Sequence, residues 1–283
     1  VSAVADRGAL LRRLRDVTDR ARADGALQPI ATQVSEQRDG GIVYALRVVD
    51  SLRRKREAEA RPAGANPFLP YDARLHVADL PPRHVLLLNK FPVIEPHALI
   101  VTATFEPQSA PLTQDDCAAA AELLRTLGGL VFYNAGTIAG GSQPHRHLQW
   151  VPAALDGAQR ELPVDAAVRA ALVGAAPGEV RVAALPFRHV LAALPSLDAG
   201  DVHATYRRLL REIGRDPDAA VCENYNGLMT PAWLMLVPRV RAEAAGINVN
   251  ALGFAGALLL RDAMQREALT SAGVANVLGA VTG

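Results

Sequence analysis

Apolar residues at helical spacing over 5–23 (Leu10, Leu11, Leu14, Val17) predict an amphipathic helix with a solvated arginine face. After Gly40-Gly41 the pattern turns β-branched and aromatic over 42–49, which reads as a strand. The charge run Arg53-Arg54-Lys55-Arg56 then opens a polar loop. Apolar runs over 83–90 and 97–102 flank a proline-bounded turn and predict a hairpin. Thr113, with Asp115 and Asp116 behind it, marks a helix start, and Gly128-Gly129 marks its end. Strands are expected over 130–134 and 145–151, separated by a glycine-rich loop over 135–143. The Ala-, Pro- and Gly-rich stretch 153–178 suggests a boundary between an N-terminal half, 1–155, and a C-terminal half, 156–283. Beyond it the pattern predicts strands over 179–194, 219–229 and 233–237, and helices over 199–215 and 250–269. Strands and helices interleave but hairpins dominate. The expected class is α+β, two halves packed as one unit.

Composition narrows the field. With 50% hydrophobic and 21% charged residues among 283, the chain is not largely disordered. Its longest apolar runs, 85–88 and 255–260, are too short to span a bilayer, and residues 1–22 are too interrupted by charge for a signal peptide. Net charge +1 and 5% aromatics argue against nucleic-acid and membrane partners. Two cysteines, Cys117 and Cys222, offer neither a disulfide framework nor a cysteine zinc site, so a cytoplasmic setting is expected. Of the thirty basic residues only Lys55 and Lys90 are lysines, compact point charges that the arginine fork does not replace.

The chemistry concentrates between Asn134 and Gln149. On a strand, His145, His147 and Gln149 share one face, with Arg146 and Leu148 on the other. The preceding loop offers backbone N–H groups that can cradle phosphate oxygens, and Ser142 and Gln143 add donors. Two imidazoles, an amide and a phosphate-sized loop suggest phosphorus chemistry. A metal site would need further ligands such as His84 or His97 from other strands, and none is assigned.

Four stretches resemble the ATP adenylyltransferases, the diadenosine tetraphosphate phosphorylases: Asn89-Lys90-Phe91-Pro92, 97–102, Phe132-Tyr133-Asn134 and 142–149. This is the transferase branch of the histidine-triad superfamily, which includes galactose-1-phosphate uridylyltransferase. Blocks around Leu52–Lys55, 66–71, 186–189, 226–239 and 247–256 extend the resemblance over most of the chain. It implies a histidine-triad-like antiparallel sheet with flanking helices, and a catalytic N-terminal half completed by the C-terminal half.

The resemblance also implies a double displacement in which His147 attacks the α-phosphorus and phosphate attacks the resulting adenylyl-histidine. Lys90, Lys55 and the Gly140-Gly141-Ser142 loop would neutralise the polyphosphate. His145 would buttress the strand or the His147 ring. Gln149, standing where triad hydrolases carry a third histidine, would donate to a phosphoryl oxygen but could not activate water. Asn89 and Asn134 match ligand-contacting positions, and Thr230 and Arg239 match positions that close over the far part of a dinucleotide. Pro231-Ala232 depart from the basic and acidic pair that often stands there, while Trp233 and His189 read as core residues. No bound cofactor is implied, only a divalent cation such as magnesium accompanying the substrate, and no obligatory protein partner. The competing readings are a uridylyltransferase-like enzyme of the same branch and a non-catalytic dinucleotide-binding sensor.

Overall fold

The computed structural model describes residues 6–49, 66–155, 161–174 and 180–283. Lys55 and the arginine run around it lie outside the described residues.

Helix α1 (Arg7–Ala23) begins at Asp6, whose carboxylate accepts the Gly8 N–H, and buries Leu10, Leu14, Val17 and Ala21. Strands β1 (Thr32–Asp39) and β2 (Ile42–Val49) form a hairpin across Gly40-Gly41. Next come β3 (His76–Leu80), β4 (His84–Leu88) and β5 (Ala98–Thr102), the last two pairing as the expected hairpin. Helix α2 (Gln114–Leu127) starts with a capping box: Asp116 N–H donates to the Thr113 hydroxyl and the Asp116 carboxylate accepts the Thr113 N–H. Strands β6 (Leu130–Ala135) and β7 (His147–Val151), helix α3 (Asp165–Leu172), β8 (Val190–Ala193) and α4 (Ala199–Glu212) follow. The chain continues through β9 (Tyr225–Met229), β10 (Trp233–Pro238) and the short pair β11 (Glu243–Ala244) and β12 (Ile247–Asn248). It closes with α5 (Ala251–Ala255), β13 (Ala257–Leu260), α6 (Ala263–Ala272) and α7 (Val274–Ala280).

The expected helix over 250–269 is broken by a strand. Gly256 ends α5 at φ 105°, and a Cβ there would lie 2.4 Å from Pro163. Ala257–Leu260 then pairs parallel with β2, so backbone pairing outweighs the helical periodicity of this apolar run. Strand β8 is also much shorter than the 179–194 expectation, and β1 and β3 carry no strong sequence signal.

Eight strands form one antiparallel sheet in the order β3-β4-β5-β7-β6-β9-β10-β8. The two halves of the chain join inside it, where β6 pairs with β9 and Asn134 stands opposite Asn226. Leu148 and Trp150 of β7 enter a core shared with α1, α2 and α4 on one face. The other face carries two apolar clusters. One joins Phe132, Leu228 and Trp233 to β2 and the C-terminal helices, and the smaller joins Phe68 to Val85, Leu87, Leu99 and Val101. Gln149 sits in register between Leu99 and Phe132, where the two clusters meet, and His147 sits opposite Val101. The site lies at that seam.

Candidate active site

Strand period and partner strands decide where β7 presents its polar residues. Because Leu148 and Trp150 point into the helical core, His147 and Gln149 point to the opposite face. There they line a cavity of about 480 Å³ together with Lys90, Asn89, Ser142 and Gln143. Its apolar lining includes Phe68, Tyr71, Leu87, Leu99 and Phe91, with Asp72 the one carboxylate among these described lining residues.

The state of His147 follows from its hydrogen bonds. Its Nδ1 lies 2.9 Å from the His145 carbonyl, which can only accept, so Nδ1 carries the proton and Nε2 the lone pair. Burial pulls the ring's pKa down to about 4, and the bond to His145 opposes this without reversing it. The imidazole is therefore neutral at physiological pH.

The backbone of His147 is held by a side chain. Gln108 Oε1 accepts the His147 N–H (2.8 Å), while Gln108 Nε2 donates to the carbonyls of His147 (3.2 Å) and Asn134 (3.1 Å). His145 precedes β7 and pairs with Pro107 as an isolated bridge. Its Nε2 lies 2.9 Å from the Thr102 carbonyl, its Nδ1 3.0 Å from Asn66 Nδ2, and Phe68 packs on both the His145 and His147 rings. Desolvation lowers the His145 pKa as well. Behind the strand, buried Arg146 binds Asp116 (2.8 Å) and Glu106 (3.0 Å), and His84 binds the other Asp116 oxygen (2.7 Å). Burial raises the Asp116 pKa, but the His84 hydrogen bond and the Arg146 charge prevail and hold it below the usual carboxylate value. The strand that carries His147 is thus moored to the first turn of α2.

The glycine loop departs from the expected phosphate cradle. The N–H of Gly140 donates to Thr137 O and that of Gly141 to Gly136 O, so both are engaged within the loop. These glycines serve close packing: a Cβ on Gly140 (φ 89°) would lie 2.9 Å from Asn250 Cβ, and one on Gly141 2.8 Å from Asn134 O. Ser142 and Gln143 are the loop residues that line the cavity. Asn134 is likewise turned inward, its Oδ1 accepting from Asn226 Nδ2 (2.8 Å) and the Ala251 N–H (3.0 Å).

Residues 2–170 match the family model described as Ap4A phosphorylase N-terminal domain, and 183–282 match the ATP adenylyltransferase C-terminal domain. The chain belongs to the Ap4A phosphorylase family. It is 30% identical over 219 residues to diadenosine 5',5'''-P1,P4-tetraphosphate phosphorylase 2 of Saccharomyces cerevisiae, an alignment spanning 65% of this chain and 64% of that protein. Protein APA1 of the same yeast is 27% identical, over 84% of this chain and 83% of its own. The crystal structure of yeast Ap4A phosphorylase Apa2 superposes with a TM-score of 0.79 at 26% identity, covering 95% of each chain. The same yeast protein in complex with Ap4A gives 0.78 at 25%, again over 95% of each.

In this member of the Ap4A phosphorylase family, Arg239 is 2% exposed and both terminal nitrogens of its guanidinium are engaged internally. It donates to Asn226 Oδ1 (2.7 Å) and to the carbonyls of Val249, Arg241 and Ala242, and burial lowers its pKa to about 10. The Thr230 hydroxyl accepts the N–H groups of Ala232 and Trp233 and closes the β9–β10 turn. Neither residue is among those lining the cavity with His147. Trp233 is buried in the core and donates its indole N–H to Asp165. His189 repeats the His147 device, Nδ1 against the Phe187 carbonyl (2.8 Å), but its Nε2 accepts the Val182 N–H (3.0 Å) and its lone pair is consumed. Sequence reasoning passed over Gln108 and Asn66 as a His145 partner, and it weighed His97 only as a possible metal ligand, whereas His97 reaches Gln149.

Proposed function

We propose that this protein cleaves diadenosine tetraphosphate with inorganic phosphate, giving ATP and ADP through an adenylyl-His147 intermediate. The observation that carries the reading is the His147 ring: neutral, its Nδ1–H fixed on His145 O, and lining a nucleotide-sized cavity. Nε2 supplies the electron pair that forms a bond to the α-phosphorus. The bond from that phosphorus to the bridging oxygen breaks, and ATP leaves as an anion. A phosphate oxygen then attacks the same phosphorus, the P–N bond breaks, and ADP is released with the ring returned to its neutral form.

Because polyphosphate is already a stable leaving group, charge neutralisation matters more than proton delivery. Lys90, at the cavity wall beside Phe91, supplies a positive charge, and Lys55 is a second candidate from the sequence. Ser142 and Gln143 offer hydrogen bonds to phosphoryl oxygens, and the apolar wall of Phe68, Tyr71 and Leu99 suits a base. Gln149 has no titrating proton with which to activate water, which favours phosphate as acceptor. A divalent cation such as magnesium would arrive with the polyphosphate as part of the substrate. Two buried free cysteines suit a reducing, cytoplasmic setting, and no helix among the described residues is long and apolar enough to cross a membrane.

Product analysis tests the reading. Diadenosine tetraphosphate should be stable with the enzyme alone and yield equimolar ATP and ADP when phosphate is added. Formation of two ADP, or of ATP and AMP irrespective of phosphate, would overturn it.

A further inference from the structure

The sequence contains two Asn-x-Phe tripeptides, Asn66-Pro67-Phe68 and Asn89-Lys90-Phe91, and both make the same turn. In each, the Phe backbone N–H donates to the Asn Oδ1, at 3.0 Å for Phe68 and 3.2 Å for Phe91. In each, the Asn Nδ2 then faces the Nδ1 of a buried histidine: His145 at 3.0 Å and His97 at 3.2 Å. A backbone N–H can only donate, so it fixes which end of the asparagine amide faces the ring. The amide NH2 can only donate, so it fixes the imidazole Nδ1 as an acceptor. A neutral ring with Nδ1 unprotonated carries its proton on Nε2.

The two turns differ in where that proton goes. His145 Nε2–H ends on the backbone carbonyl of Thr102. His97 Nε2–H ends on the side chain of Gln149, 2.9 Å from Oε1. His97 is 5% exposed, and burial holds its ring neutral with a pKa of about 4, so the Nε2–H tautomer is the one available. With its Oε1 engaged, Gln149 is left with its NH2 as the group to offer the cavity that it lines beside His147.

We infer that His97, set by the Asn89-x-Phe91 turn, is a positioning residue that makes Gln149 a hydrogen-bond donor toward the phosphoryl group. A freely flipping amide would present its carbonyl to the same oxygens part of the time, and two acceptors repel. This assigns Asn89 a role through His97 rather than through the nucleotide, and it explains why a glutamine can work there without a proton to transfer. The inference rests on the transferase reading of the cavity given above.

The test uses steady-state phosphorolysis of diadenosine tetraphosphate and 15N spectroscopy of the selectively histidine-labelled chain. His97→Met removes the donor at similar length and should lower kcat about tenfold while KM stays within about twofold. His97→Gln returns an N–H near the position of Nε2 and should recover most of that loss. In a Gln149→Met background, His97→Met should add nothing. Equal losses in both backgrounds, or a His97→Gln enzyme as slow as His97→Met, would show a merely structural role and overturn the inference. The spectrum of the unmodified protein decides independently of folding of the variants and of any activity. Signals for His97 with Nε2 protonated and Nδ1 bare between pH 6 and 8 support the relay, and the opposite tautomer refutes it. If the unmodified enzyme failed to use phosphate, the functional reading would fall while the tautomer result still judged the relay.

Discussion

The side-chain amide of Gln108 replaces a rung of the β6–β7 ladder at His147. These strands pair Leu130 with Val151, Val131 with Trp150 and Phe132 with Gln149, and the same register would bring Asn134 opposite His147. There the Gln108 amide stands between the strands and bonds both backbones. The strand that carries His147 is held open by a side chain from a loop, itself fixed by Gln108 N–H to Pro144 O and by the Tyr133 hydroxyl on Gln108 O.

Gln108→Leu should therefore strand the His147 N–H and carbonyl in the interior. A destabilisation of about 1–3 kcal/mol is expected, with a larger loss in kcat than in substrate binding because the His147 ring is displaced. Urea unfolding and steady-state kinetics check this. Unchanged kcat in a folded variant would show that the wedge does not position the ring.

Trapping the intermediate distinguishes the two histidines. Quenching labelled substrate in base without phosphate should leave label on His147, since phosphoramidates survive alkali. His147→Ala should abolish labelling, whereas His145→Ala should slow it, because His145 still supplies the backbone carbonyl that fixes Nδ1. Label found on His145 would refute the assignment.

The buried rings predict the pH response. His147 and His97 fall from the ordinary value of 6.5 to about 4 on folding, so between those limits the unfolded chain binds more protons. Stability should be unaffected by these groups above about pH 6.5 and decline as pH falls toward 4. The acid limb of kcat/KM should likewise lie near 4. A urea midpoint that stays flat over this window, or a limb at 6.5, would contradict the burial argument.

Lys90→Met should weaken kcat/KM for diadenosine tetraphosphate by roughly ten- to hundredfold, as expected for loss of a charge-assisted contact. The fold should persist, because Lys90 lies at the cavity wall and packs only against Phe91 among the ring contacts described for it. Lys55→Met should act in the same direction. Kinetics of the Lys90 variant indistinguishable from the parent would remove it from the site.

Much of this was written locally. The alternation through His147 and Gln149 set which residues share a face, and Thr113 with Asp116 set where α2 begins, because strand period and capping depend on near neighbours. The His-x-His-x-Gln pattern suggested phosphorus chemistry, and the family resemblance, not the spacing, supplied the role expected of His147. Long-range contacts decided the rest. Ala257–Leu260 became a strand because β2 offered it a free edge, and the Gly140 and Gly141 N–H groups turned inward because the Thr137 and Gly136 carbonyls accept them. Arg239 went to the interior because the Asn226 side-chain oxygen and three loop carbonyls converge there. Gln108, Asn66 and His97 could not be recognised from the chain alone. Their roles arise from partners between 2 and 79 residues away in sequence, and only the folded sheet fixes which polar atom each one meets.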